Sequence, residues 1–282
     1  VSRIVVGVDG SAGSAAALEW AVAVAGRWSA EMEVVLAWEV MAPYMAPHPR
    51  MAEAEREAEE RARETLGAMV AAAGASEATR THDVEGPAVA SLLRAAEDAD
   101  LLVVGAHGAD GIISGIGSTA TRCAVRSEVP TVVVPTEGEA EPDGPVIVGV
   151  DGSATGGRAL RTALRLADAD REVVAVNAWS VPAVTGPAVT AFDVHVFEEA
   201  GQWALDDTVA SLPEGEQARV TTRLRHGGPR SVLRDEAGRA KLVVVGTEGH
   251  STLLHRLLGS TVTYLLHHHP TPIVVVPAET AD

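Results

Sequence analysis

The sequence predicts an α/β protein built as two copies of one doubly wound parallel domain. Three observations carry that expectation. The first is an internal repeat: IVVGVDGS at 4–11 returns as VIVGVDGS at 146–153. The same offset of 142 residues links Gly86-Pro87 to Gly228-Pro229, Gly117-Ser118 to Gly259-Ser260, and Pro135 to Pro277. A period of that length is a domain rather than a solenoid unit. The second is alternation: short β-branched runs take turns with Ala-rich segments of helical spacing, the pattern of a parallel sheet covered on both faces. The third is composition. Hydrophobic residues make up 46% of the chain but aromatics only 3%. The core must therefore be Val, Leu, Ile and Ala, which suits buried parallel strands.

Each element follows in order. Ile4–Val8 is a β-branched run, and Ser14–Trp28 an Ala-rich helix. Glu33–Trp38 is a second strand. Met51–Ala73 places Ala54, Ala58, Ala62, Leu66, Met69 and Val70 at helical spacing against a Glu/Arg face. Thr79–Val84 reads as a weaker strand and Ala88–Glu97 as a helix. Leu101–Gly105 and Thr131–Val134 are strands, with the helix Ser118–Arg126 between them. The second half repeats this order from Val146 to Val276. Domains are expected over 1–137 and 144–282, joined by the Pro/Gly/Glu-rich stretch TEGEAEPDGP at 136–145, which reads as an exposed linker.

Charge and cysteine usage exclude several functions. The net charge of −17 repels nucleic-acid backbones and anionic membranes at long range, although one nucleotide can still be held by local N–H groups. The single cysteine, Cys123, permits no intramolecular disulfide and no CxxC metal motif. It lies in a helix and reads as packing. No apolar run approaches the roughly 20 residues of a membrane helix, and the first residues lack the layout of a secretion signal. A soluble, cytoplasmic protein is expected.

Ligands of open α/β sheets bind at the carboxyl ends of strands, where strand order reverses. After the first strand of each half comes Asp9-Gly10-Ser11 or Asp151-Gly152-Ser153. Two readings apply and are compatible: a helix N-cap, or a carboxylate facing a ligand. After the fourth strand come Gly246-Thr-Glu-Gly249, nine residues, then Gly259-Ser260-Thr261. The first half has Gly105-Ala-His-Gly108, eight residues, then Gly117-Ser118-Thr119. Glycines let backbone approach a phosphate closely, and a helix opening at Gly-Ser-Thr presents N–H groups and a favourable dipole. Neither segment is a Walker A loop, which needs Gly-Lys-Ser/Thr. In the first half Asp110 would repel phosphate; in the second, His250, His255 and Arg256 could offset its charge beside Glu248. His267-His268-His269 ends a helix before Pro270 and lacks the i, i+4 spacing of helical metal ligands. The loops 41–50 and 181–193 are Pro-rich, long for such connections, and fall on the ligand side.

The chain resembles the universal stress proteins over nearly its full length. The resemblance rests on VGVDGS opening each half, Val103–Gly105 and Val244–Gly246 before the glycine loops, Gly-Ser-Thr after them, and the closing PTVVVP (130–135) and PTPIVVVP (270–277). It implies flavodoxin-like (Rossmann-like) sheets ordered 3-2-1-4-5. It also implies an ATP site of the form Gly-x2-Gly-x9-Gly-Ser/Thr, which the second half matches in full and the first misses by one residue. By that resemblance Asp151 contacts the ribose or adenine side, and Trp179 offers its backbone to adenine. Gly246, Gly249, Gly259, Ser260 and Thr261 hold the phosphates, with Mg²⁺ as the attendant cation. The first-half counterparts are Asp9, Trp38, Gly105, Gly108, Gly117, Ser118 and Thr119. The resemblance further implies that the closing strands Val132–Val134 and Val274–Val276 pair the halves about a pseudo-two-fold axis, and that whole chains dimerise. The expected role is an ATP-binding regulator acting on a protein partner. The alternatives are a slow ATPase using Asp9 or Asp151 with Mg²⁺, and a nucleotide-free scaffold.

Overall fold

The structure is a computed structural model that describes residues 2–40, 49–108, 116–136, 141–181, 194–247, 258–268 and 271–279. It divides into two compact units, Val1–Glu137 and Gly138–Asp282.

In unit 1 the chain forms β1 (Arg3–Val8), α1 (Ala12–Trp28), β2 (Glu31–Trp38), α2 (Pro49–Ala72), β3 (Arg80–Glu85), α3 (Ala88–Ala95), β4 (Leu101–Gly105), α4 (Ser118–Arg126) and β5 (Thr131–Val134). Its strands lie in the order β3-β2-β1-β4-β5. Every pairing within the unit is parallel, with Val6 beside Val34 and Val103. The order reverses between β1 and β4, so both carboxyl ends open on one crevice. The strands are Val/Leu/Ile runs because helices cover both faces. Ile4, Val5, Val6, Leu101, Leu102 and Val103 are fully buried.

Unit 2 repeats the plan with β6 (Val146–Gly149), α5 (Ala154–Leu166), β7 (Val173–Trp179), α6 (Val194–Ala210), α7 (Glu214–Gln217), β8 (Val220–His226), α8 (Pro229–Ala237), β9 (Leu242–Gly246), α9 (Ser260–His268) and β10 (Ile273–Val276). Its order is β8-β7-β6-β9-β10, again all parallel. The α/β class and the 3-2-1-4-5 order therefore hold in both units.

Two details depart from the sequence reading. Unit 2 carries the extra short helix α7, which starts after Pro213 with Glu214 and Glu216 in its first turn. Proline pre-sets φ for a helix start, and acidic residues favour its N-terminus. The linker is also not wholly exposed. Gly144 is buried, and a Cβ there would lie 3.0 Å from the Lys241 backbone nitrogen. The Glu141 N–H donates to Ala240 O at 3.3 Å, so the linker's end docks on the approach to β9.

Candidate functional site

The first βα turn has one hydrogen-bond scheme in both units. Ser11 and Ser153 are N-caps: each hydroxyl accepts from the backbone N–H three residues on, Ser14 in α1 and Gly156 in α5, at 3.1 Å. Asp9 and Asp151 in turn accept from that serine's N–H at 3.0 Å and hydroxyl at 2.6 Å. Gly10 and Gly152 sit at φ 84° and 83°, a conformation costly to residues with a Cβ. The serine caps the helix, and the aspartate braces the serine with one carboxylate oxygen.

The second wall comes from the strand β9 and helix α9. Thr247 N–H donates to Val276 O at 2.8 Å, and Gly259 N–H donates back to Thr247 O at 3.1 Å. This pins the end of β9 to the start of α9. Unit 1 repeats the latch through Ala106, Val134 and Gly117, both bonds at 2.7 Å. At Gly117, the N-cap of α4, no side chain caps the helix. Helix-start N–H groups left without a side-chain cap are the donors an anion uses.

In unit 2 these walls enclose a cleft of about 310 Å³. Its lining brings together five of the expected residues: Asp151, Gly246, Gly259, Ser260 and Thr261. Pro229 and Leu233 of α8, with Val150, Val176 and Val245, supply an apolar side. Trp179 is not in the lining; its neighbour Ala178 is. Trp179 lies instead toward α6, where a Cβ at Gly201 would come within 3.4 Å of the Trp179 Cβ. Trp179 packs edge-on against His226 at 4.6 Å, and its carbonyl accepts from Gly227 N–H at 2.8 Å. Trp38 matches it, with its carbonyl taken by Gly86 N–H at 2.9 Å and its indole Nε1 buried without a partner.

In unit 1, Asp9, Gly105, Gly108, Gly117, Ser118 and Thr119 fall on the corresponding turn, strand end and helix start. A Cβ at Gly108 would lie 2.6 Å from Asp9 Oδ2, so any side chain there would displace the Asp9 carboxylate. Gly249, Asp110, Glu248, His250, His255, Arg256, His269 and most of the two Pro-rich loops lie outside the described residues.

Asn177 is a cleft residue that the sequence reading passed over. It is 7% exposed on β7, and its amide donates to Val150 O at 2.9 Å. Its signal was present: it is the one polar residue in the run VVAVNAW. The remaining candidates resolve as structure. His268 Nδ1 donates to Tyr264 O at 2.8 Å and its ring stacks on Tyr264, at the end of α9. Cys123 is buried, and desolvation pushes its thiol up to about 12, which removes it as a nucleophile. Among the described residues no group of His, Cys, Asp and Glu could hold a metal, and no helix is long and apolar enough to cross a membrane.

A doubly wound α/β protein in tandem, with its cleft at the switch point, is thus the class that fold and site define. The universal stress protein family model matches residues 1–135 and 144–277, and the chain belongs to that family. It is 31% identical over 290 residues to a universal stress protein of Mycolicibacterium smegmatis, covering 97% of this chain and 96% of that one. It is 29% identical over 293 residues to universal stress protein Rv2005c of Mycobacterium tuberculosis, covering 96% of each. A universal stress protein from Archaeoglobus fulgidus shares the fold, with a TM-score of 0.64 over 98% of each chain at 19% identity.

Proposed function

We propose that the protein is a regulatory universal stress protein whose unit 2 cleft holds ATP. One observation carries the reading. A single cleft joins an apolar end, Pro229 and Leu233, to a polar end made by Asp151, Thr247, Gly259, Ser260 and Thr261. A nucleotide has the same two ends. The base would lie on the apolar side, where Ala178 rather than Trp179 brings β7 backbone to it. The phosphates would lie at the start of α9, met by N–H groups and hydroxyls. The described lining holds no Lys, Arg or His. Among these residues, backbone dipoles and hydroxyls would meet the phosphate charge, with Mg²⁺ accompanying the nucleotide. The described lining has one carboxylate, already bonded to Ser153, which suits capture better than turnover. Unit 1, with Asp9, Gly105, Gly108, Gly117, Ser118 and Thr119, is proposed as a second, weaker site. A dimer of chains belongs to the same reading.

The test is titration calorimetry with ATP and Mg²⁺ on wild type and on Ser260→Asp. A carboxylate at the helix start keeps the helix favourable while repelling phosphate. Binding in wild type and its loss in the folded variant is the expected result. Equal binding by both proteins would place the nucleotide elsewhere, and no binding by wild type would remove the ATP reading.

A further inference from the structure

Helix α6 carries a surface that nothing in the cleft uses. Its inner face is ordinary: Gly201, Ala204, Leu205 and Thr208 are buried against β7 and β8. Gly201 makes that contact close, since a Cβ there would lie 2.8 Å from both Asn177 Oδ1 and Leu224 Cδ1. The outer face is not ordinary. Trp203 is 65% exposed, and Val196, two turns earlier on the same face, is 58% exposed. In a chain with five tryptophans, leaving one in water forgoes much of the burial its ring offers. Helical spacing puts Glu199, Ala200, Asp206 and Asp207 on the same exposed face. That face thus has two large apolar side chains, three carboxylates and no Lys or Arg, with His195 at its margin.

Helix α2 occupies the matching place in unit 1 and provides the contrast. Its exposed positions mix signs, with Arg56, Arg61 and Arg63 among Glu53, Glu57 and Glu60. Arg63 pairs with Glu59 at 2.6 Å. No exposed large hydrophobic residue is found on it among the described residues. That is how a solvated helix face looks. The α6 face has the opposite composition: an aromatic anchor ringed by one sign of charge, the arrangement of a binding hot spot.

We infer that the outer face of α6 docks a basic amphipathic helical segment of a protein partner. Charge selects this occupant. A second copy of α6 would set carboxylates against carboxylates, and anionic membranes and nucleic acids would be repelled in the same way. A segment with Lys or Arg beside an apolar stripe would neutralise Glu199, Asp206 and Asp207. It would also cover Val196 and Trp203, with a cation over the indole face adding to the contact.

The probe is a synthetic amphipathic helix of Lys and Leu, titrated against the full chain and followed by tryptophan emission and calorimetry. A blue shift that is absent in Trp203→Phe, read at a second wavelength for the other tryptophans, reports contact at α6. Trp203→Ala should weaken binding by about thirtyfold, the scale of a hot-spot residue. Asp206→Lys with Asp207→Lys should abolish it, and 0.5 M salt should weaken it. Both variants alter only exposed side chains, so circular dichroism and melting should be unchanged. Overturning results are no binding, binding indifferent to these variants, or a wild-type dimer that Trp203→Ala dissociates, which would make a second copy the occupant.

Discussion

The two Asp-Gly-Ser-Ala turns share the serine cap and its aspartate brace yet differ at the two positions that follow. Unit 1 reads Gly13-Ser14 where unit 2 reads Thr155-Gly156. In unit 1 the small residue faces the sheet: a Cβ at Gly13 would collide with His107 O and lie 2.9 Å from Thr136 Oγ1, while one at Gly105 would lie 2.6 Å from Gly13 C. Helix α1 therefore rests directly on the end of β4. Ser14 fills the inside of the turn, accepting from Asp9 N–H at 3.2 Å and donating to Ser11 O at 3.0 Å. In unit 2 the small residue has moved one place, and Gly156 lines the cleft beside Asp151. The same backbone scheme thus supports two packings. In one the turn is stapled from within, and in the other it leaves room. Duplication preserved what the backbone requires and left the side chains free to diverge.

The largest test of that divergence is on the second strands. Two residues before its closing tryptophan, β2 has the buried Leu36 and β7 has the buried Asn177. Leu36→Asn places an amide in an apolar site and should cost about 2–4 kcal/mol. Asn177→Leu removes the donor to Val150 O and should cost only about 1 kcal/mol. Urea unfolding of the two variants, with hydrogen exchange to assign each loss to its unit, checks the asymmetry. Equal losses would mean that Asn177 is no better accommodated than an amide would be in unit 1.

Next in size is the tight contact itself. Gly13→Ala must push α1 off β4 and should cost about 1–3 kcal/mol, the usual range for overpacking. Thr155→Ala, at the matching position, meets no such contact and should lose less. If Gly13→Ala proves neutral, α1 can slide, and the closeness of the two helix–sheet contacts explains nothing about the units.

A third comparison uses pH. Cys123 in α4 matches Leu265 in α9, both fully buried. Burial raises the thiol from 9.0 to about 12. Because the folded value is the higher one, the folded state keeps its proton where the unfolded chain has lost it. The thiol's contribution is intact below about 9 and lost progressively as pH rises toward 12. Unit 1 should therefore weaken in alkali more than unit 2, and Cys123→Ala should flatten the difference. Melts monitored by exchange across that range would show it.

How legible was all this in the sequence? The strands Leu101–Gly105 and Thr131–Val134 and the helix Ser118–Arg126 have the predicted limits, because buried β-branched runs and a Gly-Ser helix start are local signals. The weaker strand expected over 79–84 lies one residue on, at 80–85, with only partial burial and Gly86 at φ 131° directly after it. The cleft was half legible. Spacing pointed to Asp151 and to Gly259–Thr261, since each follows a strand. It could not show that Val176, Asn177 and Ala178 reach the cleft while Trp179 does not, because that depends on how closely Gly201 of α6 packs on the Trp179 end of β7. Nor could it show that Pro229 and Leu233 form the apolar wall. They come from α8, and Pro229 lies 51 residues beyond Ala178 on β7. Long-range packing of this kind leaves no local trace. The exposed Trp203 was equally hidden, since a tryptophan in an amphipathic helix reads as core until its facing is known.

The smallest expected effect lies at the outer strands, where the units are fastened differently. The edge of unit 1 has Arg80 paired with Glu31 at 3.0 Å, both exposed, and Arg63 near the half-buried Asp83 at 3.4 Å. The edge of unit 2 centres on one carboxylate. Glu236 of α8 takes Arg223 at 2.7 Å and Arg225 at 2.9 Å, both from β8. Desolvation pushes its carboxyl upward, but the hydrogen bonds and charges of Arg225 and Arg223 outweigh that and hold it below the usual range. A lowered folded value means the contribution is present above the unfolded pKa and lost as pH falls through the folded one. Glu236→Gln keeps the shape and removes the charge. Because Arg225 is half exposed, the expected cost is only about 0.5–1 kcal/mol, as for other solvent-facing pairs. The variant should also flatten the acid limb of unit 2's unfolding. Arg80→Gln in unit 1, where the pair is open to water on both sides, should have no measurable effect. If Arg80→Gln matched Glu236→Gln, the shared carboxylate would hold its edge strand no better than a solvent-exposed pair does.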